Sequence, residues 1–361
     1  VTQLRDQCEI RIGFPRDDAG TPADWLRTIA DYLEGEAATD ELYLSGKLAE
    51  KLEQQCADLL GKPAALWFPT GTMAQAVTAL IHAEATGRET VALHPTSHLT
   101  LHENNGIEAL AGLTAAPLGD WHRPITAEDV AALRTDPACA FIELPQRHNG
   151  GLCPDWKTLN SVVEAIHARG AKAHMDGARL WSVREAFDGR SYTDICAPFD
   201  SVYVSFYKDI GALGGAMILG HEAFIEQAKI WRHRQGGLMV RAWVEMADAL
   251  RRLPAAIAAM PDCIAAARSI ADRLRNIGFA IEPWPLQTNM FHVRLPLTKP
   301  EFAEHRDAIA EETKVWIGGS GWELDGREGM SLEIAVDPQL ALADRDRLLT
   351  AFRKLAEIVE I

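Results

Sequence analysis

Short apolar runs recur along the chain at 64–68, 90–93, 113–118, 139–145, 171–175, 201–207 and 215–219, and helical patterns lie between several of them. The runs are apolar nearly throughout instead of alternating with polar residues. That is the pattern of strands buried on both faces. Strands of this kind alternating with helices predict an α/β fold with a mostly parallel sheet covered on both sides. Before the first run, Leu48, Leu52, Cys56, Leu59 and Leu60 share one helical face, ended by Gly61. After it, Met73, Ala76, Val77, Leu80 and Ile81 share another, and helices are expected at 155–169 and 221–234. From Pro254 to Gly278 the chain is Ala-rich and reads as a helix interrupted by Pro261. Strand-like 279–283, 290–295 and 331–336, a helix near 300–313 and a final helix from about 338 then describe a small C-terminal α/β domain. At 361 residues the chain exceeds one ordinary domain. The expected division is an N-terminal arm at 1–35, a large domain at 36–250 and a small domain at 251–361.

Charge and cysteine content narrow the function classes. With 36 basic and 51 acidic residues the net charge is −15, which argues against nucleic acid or an anionic membrane as partner. The N-terminus carries no apolar core of signal-peptide length, and no run of eighteen apolar residues predicts a membrane span. The six cysteines are scattered without a Cys-x-x-Cys pair. Free thiols in a reducing cytoplasm fit that pattern better than a disulfide framework or a zinc site.

Two of the runs end in reactive side chains. Asp176 follows 171–175 in His174-Met175-Asp176-Gly177-Ala178-Arg179, and Lys208 follows 201–207, ahead of a Gly-rich stretch at 211–215. A lysine at the mouth of a buried strand is costly unless it has a use, and burial favours its neutral, nucleophilic amine. An amine and an acid delivered from neighbouring strand ends suit pyridoxal 5'-phosphate. The lysine forms an imine with the cofactor aldehyde, and the carboxylate keeps the pyridine nitrogen protonated so that the ring accepts electrons. Thr70-Gly71-Thr72, between a strand and a helix, suits a phosphate cradle at the helix N-terminus. Each feature also has a plainer reading: a turn aspartate, an N-cap at Thr70 or Thr72, and an arginine at Arg179 paired with an acid elsewhere. Their joint order carries the cofactor reading. Ser205-x-x-Lys208 matches a serine–lysine nucleophile pattern, but the serine lies inside a strand. His94, His98 and His102 recur at four-residue intervals, but Pro95 breaks a continuous metal-binding face, and no metal is expected. The aromatic residues Phe291, Trp316 and Trp322 read as core or interface.

Together with Phe68-Pro69-Thr70-Gly71-Thr72-Met73-Ala74, His98 with Glu103, Glu143 before His148-Asn149-Gly150, Trp231-Arg232 before Gly236-Gly237, and Thr288-Asn289-Met290, these motifs resemble the threonine aldolase and β-eliminating lyase family of pyridoxal-phosphate enzymes. The resemblance implies the transferase-like architecture of fold type I. It implies that Gly71 and Thr72 bind phosphate, that His98 stacks on the ring and acts as a base, and that Asp176 meets the pyridine nitrogen. It also implies that Arg179 holds cofactor or substrate carboxylate and that Lys208 carries the cofactor. A homodimer or homotetramer with sites at the subunit interface is implied, acting on a small amino acid. The reaction implied is cleavage of an L-β-hydroxy-α-amino acid to glycine and an aldehyde. β-Elimination, transamination or racemisation remain alternatives, as does a non-enzymatic cofactor-binding protein. The chain departs from the family pattern where the substrate carboxylate is bound. Glu9-Ile10-Arg11-Ile12-Gly13 lacks the usual serine, and Ser331 stands in place of an arginine. Arg11, Arg327 and Tyr43 are the substitute candidates for substrate binding, and Arg234 and Arg241 are candidates to complete the phosphate site.

Overall fold

The apolar runs become strands of one sheet. A computed structural model describes residues 4–13, 20–318, 321–323 and 329–361. After β1 (Ile10–Arg11) come β2 (Ala64–Phe68), β3 (Thr90–Leu93), β4 (Thr114–Pro117), β5 (Cys139–Glu143), β6 (Lys172–Gly177), β7 (Ser201–Ser205) and β8 (Ala216–Gly220). The last seven form a sheet in the order β2-β8-β7-β6-β5-β3-β4. All its pairings are parallel except those of β8, which runs against both β2 and β7. Burial on both faces explains the unbroken apolar runs: Leu66, Trp67 and Phe68 are all buried, as are Phe141 and Ile142, and Val202, Tyr203 and Val204. The parallel strands bring their C-terminal ends to one edge, where the register aligns Glu143 with Asp176 and Asp176 with Tyr203. The helix Gly71–Thr86 packs on β7 and β8, and Gly61 (φ 64°) caps the helix Lys47–Leu60 in the left-handed conformation.

The chain divides into two compact units, one of Arg16–His148 with Cys153–Ile257 and one of Val1–Pro15, Asn149–Leu152 and Ala258–Ile361. The division falls at 257/258, where the sequence suggested 250/251, and it lies inside a continuous helix, Trp243–Ile277. The first fifteen residues go with the C-terminal unit because β1 pairs in parallel with a strand near residue 315. That unit contains β9 (Ala280–Glu282), β10 (Met290–Leu295), β11 (Val315–Trp316), β12 (Gly321–Glu323) and β13 (Met330–Ala335). Its main sheet is antiparallel, in the order β12-β13-β10-β9. Phe291 is core in this unit, and the Arg306 guanidinium covers the Trp316 ring at 4.0 Å.

Pro261 does not interrupt its helix. A proline inside a helix removes one hydrogen bond and costs about 3 kcal/mol, yet Met260, Cys263, Ile264, Ala267, Ile270 and Leu274 are all buried around and beyond it. Burial of that face outweighs the local penalty. The helix is long and apolar enough to cross a membrane by length and composition. Asp262 and Arg268 nevertheless interrupt the exposed side of its apolar stretch, and its buried residues, among them Ala267, Ile270 and Leu274, pack as core. The expected final helix is two helices, Pro338–Leu342 and Arg345–Ile358. Asp344 separates them by capping the second through the Asp346 and Arg347 N–H groups.

Candidate active site

Asp176 is the fifth residue of β6 and only 3 % exposed. Its Oδ1 accepts the Ala178 N–H at 3.1 Å. Burial raises its carboxyl pKa, and the charges of Lys208 and His98, with the Ala178 N–H, pull it back. Lys208 sits in the loop after β7. That loop is closed by Phe206 N–H to Gly215 O (3.1 Å), Ala212 N–H to Phe206 O (2.8 Å) and Gly211 N–H to Lys208 O (2.9 Å). Burial lowers the Lys208 pKa, Asp176 opposes that shift, and Arg179 and Arg147 add to it.

The two strand-end segments are tied to each other. The Ser205 hydroxyl donates to Ala178 O at 3.1 Å, and Arg179 Nη1 donates to Asp209 Oδ1 at 3.1 Å in a buried ion pair. Arg179 therefore meets an acid beside Lys208. Ser205 is fully buried and engaged with backbone, which removes the serine–lysine nucleophile reading.

Glu143, beside Asp176 in register, accepts the Arg147 N–H on Oε1 at 3.1 Å, while Oε2 is buried with no hydrogen-bond partner among the described residues. Burial first and the Asp176 charge second push its pKa up to about 8. Two neighbouring buried carboxyls do not both ionise readily. Burial and the Asp176 charge favour the proton on Glu143.

Gly71 opens its helix against Tyr203. A Cβ on Gly71 would overlap the Tyr203 hydroxyl, and Tyr203 is itself hydrogen-bonded to Tyr207. Thr70 is the N-cap, its hydroxyl accepting the Met73 N–H at 3.2 Å, and Thr72 is exposed on the first turn. Helix geometry leaves the Gly71 and Thr72 N–H groups without intrahelical acceptors and sets a positive dipole end there. Arg232 braces the approach from behind. It is buried, donates to Trp67 O at 2.6 Å and lies over the Phe68 ring.

His98 begins the short helix His98–Leu101 and shares a hydrogen bond between Nδ1 and Glu103 Oε1 at 3.0 Å. Its ring lies 5.1 Å from that of His102, which stacks at 5.1 Å on His148. His94 turns elsewhere, its nitrogens meeting the Thr96 hydroxyl (2.7 Å) and Arg123 O (3.1 Å), so the three evenly spaced histidines do not converge.

The other sequence candidates have contacts of their own. Arg241 pairs with Asp40 through two hydrogen bonds of 2.8 Å, and the Arg234 guanidinium lies 4.8 Å from the centre of the Trp231 ring. Tyr43 is exposed at φ 55° and donates its N–H to Val240 O at 2.9 Å. Arg11 donates to Cys8 O (2.7 Å) and Asp6 O (2.9 Å). Arg327 lies outside the described residues. Sequence reasoning missed the roles of Glu143, Tyr203, Asp209 and Arg232. A glutamate ending an apolar strand was a visible signal for the first; the rest depend on neighbours distant in sequence.

The cluster fits pyridoxal phosphate. It offers an amine of lowered pKa, a buried carboxylate next to it, a half-buried imidazole oriented by an acid, and a helix start where only glycine clears Tyr203. The beta-eliminating lyase family profile matches residues 27–296. A relative assigned as low-specificity L-threonine aldolase 2 of Arabidopsis thaliana is 28% identical over 338 residues, covering 88% of this chain and 90% of its own. A solved structure assigned as an L-allo-threonine aldolase of Listeria monocytogenes EGD-E superposes with TM-score 0.88 at 32% identity, over 98% of each chain. One assigned as an aromatic amino acid beta-eliminating lyase/threonine aldolase of Exiguobacterium sp. 255-15 gives 0.88 at 30% identity, again over 98% of each. The architecture is fold type I of the pyridoxal-phosphate enzymes.

Proposed function

The chain belongs to the beta-eliminating lyase family, and from that premise we propose that it is a pyridoxal-phosphate lyase cleaving L-β-hydroxy-α-amino acids to glycine and an aldehyde. The observation that carries the reading is the delivery of Lys208 and Asp176 to one buried cluster from adjacent strands. Pyridoxal phosphate, when bound, supplies an aldehyde for imine exchange with amino groups and a pyridinium ring that takes up electron density released at Cα.

The chain's own residues do the rest. Lys208 holds the cofactor, and its lowered pKa raises the fraction of neutral amine available for exchange. Asp176 accepts a hydrogen bond from the pyridine N–H and keeps that proton in place. Neutral Glu143 beside it avoids a second negative charge. Gly71 and Thr72 offer backbone N–H groups to the phosphate. Glu103 accepts from Nδ1 of His98, which leaves Nε2 as the acceptor that would take the proton of the β-hydroxyl, with the imidazole available to cover the cofactor. Arg179, through Asp209, orients the loop that carries Lys208.

We also propose a homo-oligomer with sites at the subunit interface. Exposed Leu42, Tyr43, Leu101 and Val240 in the larger unit support it. A reducing, cytoplasmic setting fits six buried cysteines that form no disulfide. The test is incubation with L-threonine, L-allo-threonine and L-phenylserine, with assays for glycine and aldehyde. Glycine from at least one supports the reading. Pyruvate and ammonia from serine, with no glycine from any hydroxy amino acid, would replace it by β-elimination.

A further inference from the structure

We propose that Asp248, outside the cluster just described, is a positioning residue that fixes the Lys208 amine by clamping the far side of its loop. The inference rests on the proposed function only for the role of Lys208.

Asp248 lies in the second turn of the helix Trp243–Ile277 and is 0 % exposed. A carboxylate buried that completely is costly unless its oxygens are engaged. Oδ2 accepts the Leu213 N–H at 2.9 Å. Oδ1 accepts from Arg251 Nη2 at 2.7 Å and lies 3.5 Å from Arg252 Nε. The arginines belong to Asp248's own helix, at i+3 and i+4, and would pair with it equally well at the surface. Full burial serves the remaining contact, which reaches across to the Lys208 loop.

The loop needs such a contact. Gly211 (φ 69°) and Gly215 (φ 87°) turn it through left-handed conformations, and Gly214 adds a third position without a Cβ. Glycines lose the most freedom on ordering, so the segment holds one shape only where it is fastened. One fastening is the Arg179–Asp209 pair next to Lys208. On the opposite flank Leu213 is 41 % exposed, so its side chain anchors little, and its N–H is what Asp248 holds. An N–H bonded to a buried carboxylate is about twice as strong as a neutral pair. Ala212 stays held by its own N–H to Phe206 O, so releasing the clamp frees the Leu213–Gly214 tip and lets water approach the Lys208 amine from that flank.

The full-length chain with Asp248→Ala tests the clamp. In cofactor-free protein, competitive acetylation with acetic anhydride across pH, read by mass spectrometry on the Lys208 peptide, gives the midpoint of that amine. The wild-type midpoint should lie below that of an ordinary lysine, and the variant's should move up toward it. In the loaded enzyme kcat should fall about 100-fold with KM little changed, the scale expected for a misplaced reacting group. Asp248→Asn, whose amide oxygen can still accept the Leu213 N–H but whose NH2 cannot accept from Arg251, should restore both readouts in part. If the alanine variant does not fold, Asp248→Ser, with too short a reach, takes its place. A variant that melts earlier but keeps the wild-type midpoint and kcat would reduce Asp248 to a stabilising residue and overturn the proposal. A shifted midpoint with no glycine from any hydroxy amino acid would sink the proposed function and leave the clamp standing.

Discussion

At the N-terminal ends of β6 and β7, four buried polar side chains form a closed chain of hydrogen bonds. His174 meets Gln75 Oε1 and the Ser201 hydroxyl, each at 2.8 Å, and His82 meets the same hydroxyl at 2.7 Å. Because the Gln75 oxygen accepts, His174 donates from Nε2, accepts the Ser201 hydroxyl's hydrogen bond at Nδ1, and leaves Ser201 Oγ to accept from His82. At the C-terminal ends of the same strands, Asp176 is buried and Lys208 half-buried near Glu143, whose Oε2 has no partner among the described residues. One helix serves both ends, with Gly71 against Tyr203 and Gln75 and His82 in the closed chain. Buried polarity that is satisfied specifies the packing. Buried polarity left with charge and open valence marks chemistry.

The largest expected effect breaks the comparison at the C-terminal end. Asp176→Ala should lower turnover by roughly 10²–10³, the scale of losing one preorganised electrostatic contact, while the protein stays folded by circular dichroism. Near wild-type turnover would make this end no more chemical than the other. Ser201→Ala should do the reverse. It leaves two buried histidine nitrogens unpaired, so unfolding free energy in urea should drop by about 2–4 kcal/mol with kcat unchanged. A fall in kcat without loss of stability would erase the distinction.

Acid sharpens the same contrast. Burial lowers His82 from 6.5 to about 4, so the folded state holds it neutral where the unfolded chain protonates it. The stability it contributes is full above pH 6.5 and is lost as pH falls toward 4, by about 3 kcal/mol. Urea midpoints across that range should fall steeply in the wild type and less steeply in His82→Phe. Equal slopes would mean that the closed chain does not titrate. The smallest effect concerns the helix start. Gly71→Ala drives a methyl into Tyr203 and should weaken cofactor affinity about tenfold. Tyr203→Phe in the same chain, lacking the hydroxyl, should recover part of the loss. No recovery would assign the effect to the backbone N–H groups alone.

The sheet was legible because strands buried on both faces have no polar positions to hide them. Asp176 and Lys208 were legible for a related reason: a charge at the end of an apolar strand is expensive and stands out. The proton on Glu143, the Arg179–Asp209 pair, the reach of Asp248 and the fit of Gly71 to Tyr203 were not, since each depends on which strands lie side by side. The continuity of the helix through Pro261 was hidden too, because the burial that offsets the lost hydrogen bond comes from tertiary neighbours.

The central claim is that the open end of β6 and β7 carries the cofactor through Lys208. Reducing the loaded protein with borohydride fixes the cofactor to its lysine, and peptide mapping by mass spectrometry locates it. The account predicts the label on the peptide containing Lys208. Recovery on Lys172, at the other end of β6, or on Lys229 would contradict it.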